Sequence, residues 1–137
     1  METVEQARET ILKELTSDDS EVRSDYLKLF EADAKAFADA MAQAFMKWRT
    51  FDNEVKDDER RVHVSALVYT AITLHILSLK LFLAGQTVAA GNLFRQVIES
   101  IALALLCSGK DLDVLKRFME DKYSSTVTLP LFFVSHN

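Results

Sequence analysis

The sequence predicts an all-α protein, a helical bundle of four to five helices with a long second helix and an extended C-terminal tail. Apolar residues make up 49% of its 137 residues, whereas glycine occurs three times and proline once. Glycine and proline are the residues that most disfavour helix interiors, so a chain this poor in them favours long helices. A chain of this length also buries roughly 68–70% of its unfolded surface. It can therefore form a core without disulfides.

The charge and the cysteine content narrow the possible environments and partners. The formal net charge is −5, and the 16 lysines and arginines are scattered along the chain. A basic patch for a nucleic-acid backbone is therefore missing, so binding of nucleic acid is possible but has no support from the charge. Cys107 is the only cysteine, and the first ten residues lack the basic and apolar regions of a secretory signal. We predict a cytoplasmic protein.

Residues 3–15 predict a short amphipathic first helix. Thr3 and Gln6 have the spacing of a capping box, and apolar residues recur along one side after them. The cap-forming residues 17–20 then predict that a second helix begins near residue 18 or 19. The apolar seam of this second helix advances in steps of about three and four residues, through Tyr26, Phe30, Ala34, Phe37, Met41, Phe45 and Trp48.

The length of the second helix is itself informative. A helix that continues unbroken to Phe51 is on the order of 50 Å long at about 1.5 Å per residue, which is more than a compact domain of this size needs. We therefore expect it to project, to bend or to pack against a second subunit. The sequence predicts a homodimer that forms through this helix, through the C-terminal tail or through both.

The third helix is predicted to run from about Glu59 to Ala84, with Asp57 or Asp58 before it and Gly85 as the cap at its end. It is apolar nearly all round, a pattern that fits either a buried bundle helix or a membrane span. Ionisable residues such as His75 and Lys80 are costly in hydrocarbon. We therefore predict burial in the bundle and no membrane insertion.

The fourth helix is predicted over residues 87–107, antiparallel to the third because the connection at Gly85 is short. Gly109 follows it as a C′ residue. A fifth helix is expected to begin near Asp111 and to end near Tyr123. It should place its apolar residues inward, namely Leu112, Leu115, Phe118 and Met119, and its charged residues outward, namely Lys116, Arg117 and Glu120.

The predicted domain covers residues 1–123, and residues 124–137 form the tail. In the tail, β-branched and aromatic residues replace helix formers, and Pro130 would end a continuing helix. An exposed run of apolar residues such as 129–134 favours aggregation. We expect the tail to pack as an extended strap on the bundle or on a partner subunit.

A candidate polar site lies between the third and fourth helices. Antiparallel pairing about residue 85 or 86 places His75 at the depth of Arg95 and Glu99. Helical spacing puts Asn92, Arg95 and Glu99 on one stripe, with Gln96 beside them. These four residues are the predicted ligand-binding set. His75, Arg95 and Glu99 are the catalytic candidates.

Two interpretations of this constellation are open. As a functional site, Arg95 would bind an anion or a phosphate, Glu99 would orient it, and His75 would carry a proton or donate a hydrogen bond. As a structural feature, Arg95 and Glu99 would pair on a solvated strip, and His75 would be a hydrogen-bonded core residue. The structural interpretation is the more common outcome for such residues.

The hairpin that carries these residues, LFLAGQTVAAGNLFRQVIESIALALLC, covers residues 81–107 and contains an Arg-x-x-x-Glu signature. It resembles the helical hairpin of uncharacterised bacterial all-helical families and, more distantly, the HEPN superfamily of abortive-infection and toxin–antitoxin proteins. The resemblance implies a helical fold and a dimeric habit. RNA-cleaving HEPN families separate an Arg and a His by four to six residues on one helix. After Arg95, those positions hold Ser100, Ile101 and Ala102, so the resemblance does not extend to the nuclease motif.

Other chemistry-bearing patterns are weaker. Asp58, Glu59 and His63 lie near one another at a helix start, but acidic residues there usually stabilise the helix dipole. We predict no metal site and no cofactor. Cys107 lies at an apolar helix end and is predicted to be a buried, unreactive thiol. His136 lies in the tail. The sequence contains no Gly-rich phosphate loop, no Gly-x-Ser-x-Gly motif and no Cys-x-x-Cys pair.

The function that these patterns favour is a non-enzymatic interaction or regulatory module, of bacterial stress or phage-defence type, with a protein partner possible beside the second subunit. One alternative is an RNA-directed or phosphate-directed enzyme that uses His75, Arg95 and Glu99. Another alternative is a small-molecule sensor whose apolar ligand lies within the bundle.

Overall fold

The computed structural model describes residues 3–55, 57–109, 116, 117 and 120. Its helices within the described residues are α1 Val4–Leu15, α2 Ser20–Leu29, α3 Glu31–Glu54, α4 Glu59–Leu83 and α5 Thr87–Ser108. The described part of the chain contains no strand. The predicted all-α helical bundle is confirmed.

The antiparallel hairpin of α4 and α5 is the centre of the bundle. Its buried cluster comprises Leu67 from α4 and Leu103, Ala104 and Cys107 from α5. At the other end of the hairpin, the Ser78 hydroxyl donates a hydrogen bond of 2.8 Å to the carbonyl of Ala90. α2 and α3 pack on α4, so α4 has neighbours on two sides.

A tight turn at Gly85 closes the hairpin. Gly85 has a φ of 79°. The Gln86 N–H donates to the Leu81 carbonyl at 2.9 Å, and the Gly85 N–H donates to the Phe82 carbonyl at 2.9 Å. These two bonds are those of a Schellman motif, which satisfies carbonyls that the helix end would otherwise leave unpaired. The predicted cap at Gly85 is confirmed.

The end of α5 differs from the prediction. Gly109 is the C-cap residue, with φ −64° and ψ 169°, and does not adopt the left-handed conformation expected of a glycine at C′. Its N–H donates to the Leu106 carbonyl at 3.3 Å, and its own carbonyl accepts from Arg60 Nη1 at 2.9 Å. This hydrogen bond connects the end of α5 to the start of α4, where Arg60 lies.

The predicted long second helix is divided at Phe30 into α2 and α3, so of the three expected outcomes, projection, bending or packing on a second subunit, the structure shows a bend. Phe30 has φ −111° and ψ 28°. The helical hydrogen bonds of α2 end with the Phe30 N–H, which donates to the Tyr26 carbonyl. Those of α3 begin with the Ala34 N–H, which donates to the Phe30 carbonyl. The bend keeps the rings of Tyr26 and Phe30 against Phe82 of α4, with centroid separations of 6.1 and 5.8 Å. Contact with α4 accompanies the change in direction.

A partly buried polar network, with Ser65 at its buried centre, joins α3 to α4. The Trp48 indole N–H lies 3.1 Å from the Ser65 carbonyl and 2.9 Å from the Ser65 hydroxyl. The hydroxyl in turn donates to Asp52 Oδ1 at 2.6 Å. The Trp48 ring also packs against Tyr69 at a centroid separation of 4.7 Å. Because polar groups need partners when buried, this network fixes the register between the two helices.

The first helix is folded but contributes nothing to the core. Its predicted capping box is confirmed, since the Thr3 hydroxyl accepts from the Gln6 N–H and the Gln6 side chain accepts from the Thr3 N–H. None of its residues is buried. Its large apolar side chains are exposed by 55–81%: Val4, Ile11, Leu12 and Leu15.

Most of the predicted fifth helix and the whole predicted tail lie outside the described residues. Lys116 and Arg117 are helical and exposed, and the Glu120 N–H donates to the Lys116 carbonyl at 3.0 Å. The inward positions of that helix and residues 124–137 are not among those described. Those expectations remain predictions.

By length and composition alone, α4 and α5 could each cross a membrane. Their most apolar 18-residue windows have mean hydropathies of 1.8 and 1.3, and 28% and 33% of these windows is buried. The core helix of a soluble protein passes the same test of length and composition, but such a helix is mostly buried, whereas at most a third of each of these windows is buried.

Two glycine substitutions that should change the free energy of unfolding in opposite directions test the hairpin turn. Gly85→Ala should lower the free energy of unfolding by about 1–2 kcal/mol, the cost of a left-handed residue with a Cβ. The added Cβ itself meets only Val22 Cγ1 at 3.6 Å, an ordinary contact. Gly91→Ala, in the interior of α5 with no atom within 4 Å of its Cβ, should raise that free energy by about 0.5–1 kcal/mol. Urea denaturation measures both, and effects of equal sign would contradict the assigned turn.

Candidate functional site

His75 lies between two phenyl rings. Its imidazole meets Phe37 of α3 edge-on, at a centroid separation of 4.9 Å, and Phe94 of α5 at 5.3 Å. The contact pairs of α3 with α4, such as Trp48 with Ser65 and Phe37 with His75, have nearly constant index sums, so these helices are antiparallel. His75 therefore joins the three longest helices at one level.

The environment of His75 favours the neutral imidazole. The ring is half-buried, and the desolvation that accompanies this burial lowers its pKa from the ordinary value of 6.5. No hydrogen bond to its nitrogens is found among the described residues. A neutral imidazole has one N–H donor and one free nitrogen acceptor.

The other catalytic candidates point elsewhere. The Arg95 Nε lies 2.9 Å from Glu99 Oε1, and the two side chains are 81% and 35% exposed. Successive helix residues are about 100° apart around the axis, so Phe94 can face His75 while Arg95 faces solvent. The structure brings Arg95 and Glu99 together and does not bring His75 to them.

The predicted ligand-binding stripe on α5 is largely solvated. Asn92 and Arg95 are exposed, and Gln96 and Glu99 are half-buried. The predicted depth of His75 was nearly right, because His75 contacts Phe94, the residue next to Arg95. Whether the stripe of Asn92, Arg95, Gln96 and Glu99 binds a ligand stays a prediction.

The structure shows an apolar groove that the sequence analysis missed. It lies between α3 and α5, has α4 as its floor, and is called here the α3–α5 groove. One cavity of about 330 Å³ in it is lined mainly by apolar residues: Met41, Ala44, Val64, Val68, Ala71, Ile72, His75, Val97, Ile101, Ala104, Leu105 and Ser108. A second cavity of about 360 Å³, lined by Phe37, Phe82 and Phe94 among others, lies on the opposite side of His75.

A signal for this groove was present in the sequence. α5 carries two apolar seams with the same alternating steps of three and four residues, shifted by one position. The seam at 90, 93, 97, 100, 104 and 107 is buried or half-buried along α4. The other seam, at 91, 94, 98, 101, 105 and 108, is exposed. Phe94, Ile98, Ile101 and Leu105 in this second seam are 44%, 54%, 46% and 69% exposed.

The weaker candidates have structural roles. Asp58 is the N-cap of α4, and its Oδ1 accepts a hydrogen bond from the Arg61 N–H at 3.1 Å. Within the described ranges, no group of three metal-ligating side chains lies together. Cys107 is fully buried, and desolvation raises the pKa of its thiol. A thiol in that environment stays protonated and reacts slowly.

Comparison with known proteins adds no further assignment. No protein-family model matches the sequence, and no curated protein or solved structure matches it. Function must therefore be inferred from the geometry.

The position of His75 predicts a pH-dependent stability. Because the folded state disfavours the imidazolium, the unfolded chain takes up a proton first as the pH falls below about 6.5. The free energy of unfolding should fall from there until the pH reaches the lower pKa of the folded state. Urea denaturation of wild type and His75→Phe should show a larger loss in wild type on this acid side. Equal losses in the two proteins would contradict this environment, as would an NMR titration midpoint for His75 at or above 6.5.

The exposed ion pair of Arg95 and Glu99 should contribute little to the free energy of unfolding. Arg95→Ala should change the free energy of unfolding by only about 0.2–0.5 kcal/mol, the usual contribution of a solvated pair one helical turn apart. Added salt should remove most of that difference, because it screens exposed charges. A loss of several kcal/mol in thermal or urea unfolding would show that Arg95 has a buried partner.

Proposed function

We propose that this chain is a non-enzymatic helical interaction module that works as a homodimer, with α1 as part of its dimer surface. The observation that carries the proposal is the uncovered apolar side of α1. Val4 and Leu15, at the two ends of that side, are 81% and 76% exposed. Among the described residues, no other helix packs extensively on it.

A free helix of this kind needs a partner. Isolated helices shorter than about 12–15 residues are marginal in water, and their stability in proteins comes mostly from packing of the apolar face. α1 has 12 residues, and its capping box stabilises one end only. Since closed dimers of identical chains are the most common oligomers, a second copy is the partner that we propose.

The arrangement of the catalytic candidates supports a non-enzymatic role. His75 packs between Phe37 and Phe94, whereas the Arg95 guanidinium pairs with Glu99 in solvent. A phosphate held by Arg95 would thus have no imidazole beside it for proton transfer. General acid–base catalysis needs the base within about 2.6–3.2 Å of the proton that it moves, directly or through one water.

The proposed biological setting is bacterial stress response or phage defence in the cytoplasm. Its support is the likeness of residues 81–107 to HEPN-type hairpins. A soluble location without membrane insertion is favoured by Arg95 and Glu99 within α5 and by Lys80 in the last turn of α4, because charges are costly in hydrocarbon.

A second candidate function is binding of a small apolar molecule. The observation that favours it is the cavity of about 360 Å³ beside His75, which is lined by three phenyl rings and by Gly91. Pockets of this kind combine apolar walls with a few polar groups that orient the ligand. Native mass spectrometry of the purified protein tests this idea directly, because a retained molecule adds its mass to that of the chain.

The dimer proposal is tested by one substitution on each side of α1. Ile11→Asp places a charge on the apolar side, whereas Lys13→Gln changes the net charge by the same amount on the opposite side. We expect Ile11→Asp to weaken dimerisation by roughly tenfold or more, since burying one carboxylate in an apolar interface costs at least about 1.4 kcal/mol.

Light scattering over a range of protein concentrations measures this effect, and Lys13→Gln should match the wild type. A wild-type chain that stays monomeric at all concentrations would refute the proposal. Equal dimerisation of Ile11→Asp and Lys13→Gln would show that α1 lies outside the interface.

A further inference from the structure

The α3–α5 groove is open at the end where α5 finishes. Leu105 and Ser108 line its cavity of about 330 Å³, and Gly109 follows directly. Leu105 is 69% exposed and Ile101 is 46% exposed. The chain therefore continues, with residues 110–137, from the mouth of an apolar groove that the described residues leave uncovered.

The segment that follows has the pattern of a helix with one apolar side. Its apolar residues at 112, 115, 118 and 119 recur at helical intervals, and charged residues separate them. Lys116 and Arg117 are helical and exposed, and the Glu120 N–H donates to the Lys116 carbonyl. These three residues are the polar side that the pattern predicts.

The register of this segment against α5 follows from the short connection. α5 ends at Ser108 and the apolar pattern begins at Leu112, so an antiparallel pairing is centred near residue 110. Positions at equal depth then have indices that sum to 220. The groove-facing positions 108, 105 and 101 of α5 fall opposite 112, 115 and 119. All three positions of the segment are apolar, and their steps of three and four mirror those of α5.

We propose that residues 111–119 form a helix that packs antiparallel to α5 in the α3–α5 groove. α3, α4 and α5 already alternate in direction, so this helix completes an up-down-up-down four-helix bundle. The chain's own segment is favoured over a second copy as the occupant. A tether this short gives it an effective concentration of millimolar order or higher at the groove.

Paired cysteines test the proposed register in the full-length chain. Leu105→Cys with Leu115→Cys places two thiols opposite each other, at the short Cα separation that a disulfide needs. Leu105→Cys with Arg117→Cys is the matched control, because position 117 is on the exposed side of the segment. Both pairs are made with Cys107→Ala, and also in the native background, since the buried Cys107 should react slowly.

Mild oxidation followed by intact-mass and peptide analysis gives the result. We expect an intrachain disulfide in the 105–115 pair to form at least about tenfold faster than in the 105–117 control. Absence of that disulfide in a protein that circular dichroism shows to be folded would overturn the proposal, as would equal rates in the two pairs. A disulfide formed mainly between chains would show that a second copy fills the groove.

A pair of single substitutions supplies a second measurement that does not depend on disulfide chemistry. Leu105 lines the groove, whereas Leu106, 52% exposed, is not part of its lining. Leu105→Asp should shift the urea midpoint to lower concentration by more than Leu106→Asp does. An equal or smaller shift for Leu105→Asp would contradict an occupied groove. Because α1 is not involved, this outcome is independent of the dimer test.

Discussion

Side-by-side packing of α4 and α5 forms the hairpin against which α2 and α3 are placed. Small residues at the contact, such as Ala71, Ala90 and Ala104, let the two helices approach closely, and the Ser78 hydroxyl satisfies a carbonyl across the interface. The Schellman turn at Gly85 fixes their antiparallel relation. α3 then docks on α4 through Trp48 and Ser65, so α4 is the element that the others share.

This arrangement gives the polar candidates separate roles. His75 is the point at which α3, α4 and α5 meet, and its ring packs between Phe37 and Phe94. Arg95 lies one position from Phe94 and yet belongs to the solvated side of α5. The more consequential chemistry of α5 is apolar. Ile101 and Leu105 of its second seam line the α3–α5 groove, in which we propose that residues 111–119 pack.

The sequence predicted the elements better than the surfaces between them. Caps such as Thr3 and Gly85 are local signals, set by hydrogen bonds within a few residues, and they located α1 and the hairpin turn correctly. In two antiparallel helices, residues at the same depth along the axis have residue numbers with a constant sum. This rule placed His75 close to its true level. The same rule does not give the rotation of a helix about its axis. It therefore could not predict that Phe94 faces His75 whereas Arg95 faces solvent. The division at Phe30 carries no proline or glycine signal, and it lies where Phe30 contacts Phe82 on a helix distant in sequence.

We infer that the stable α4–α5 hairpin supports segments whose own stability comes from docking. Hydrogen exchange measured by mass spectrometry on the full chain at several protein concentrations tests it most directly. We expect strong protection of residues 67–72 and 97–107 that does not depend on protein concentration. The protection of α1 should be weak in dilute solution. The protection of α1 should then rise as the dimer forms at higher protein concentration. Protection of α1 equal to that of α5 at every concentration would contradict it.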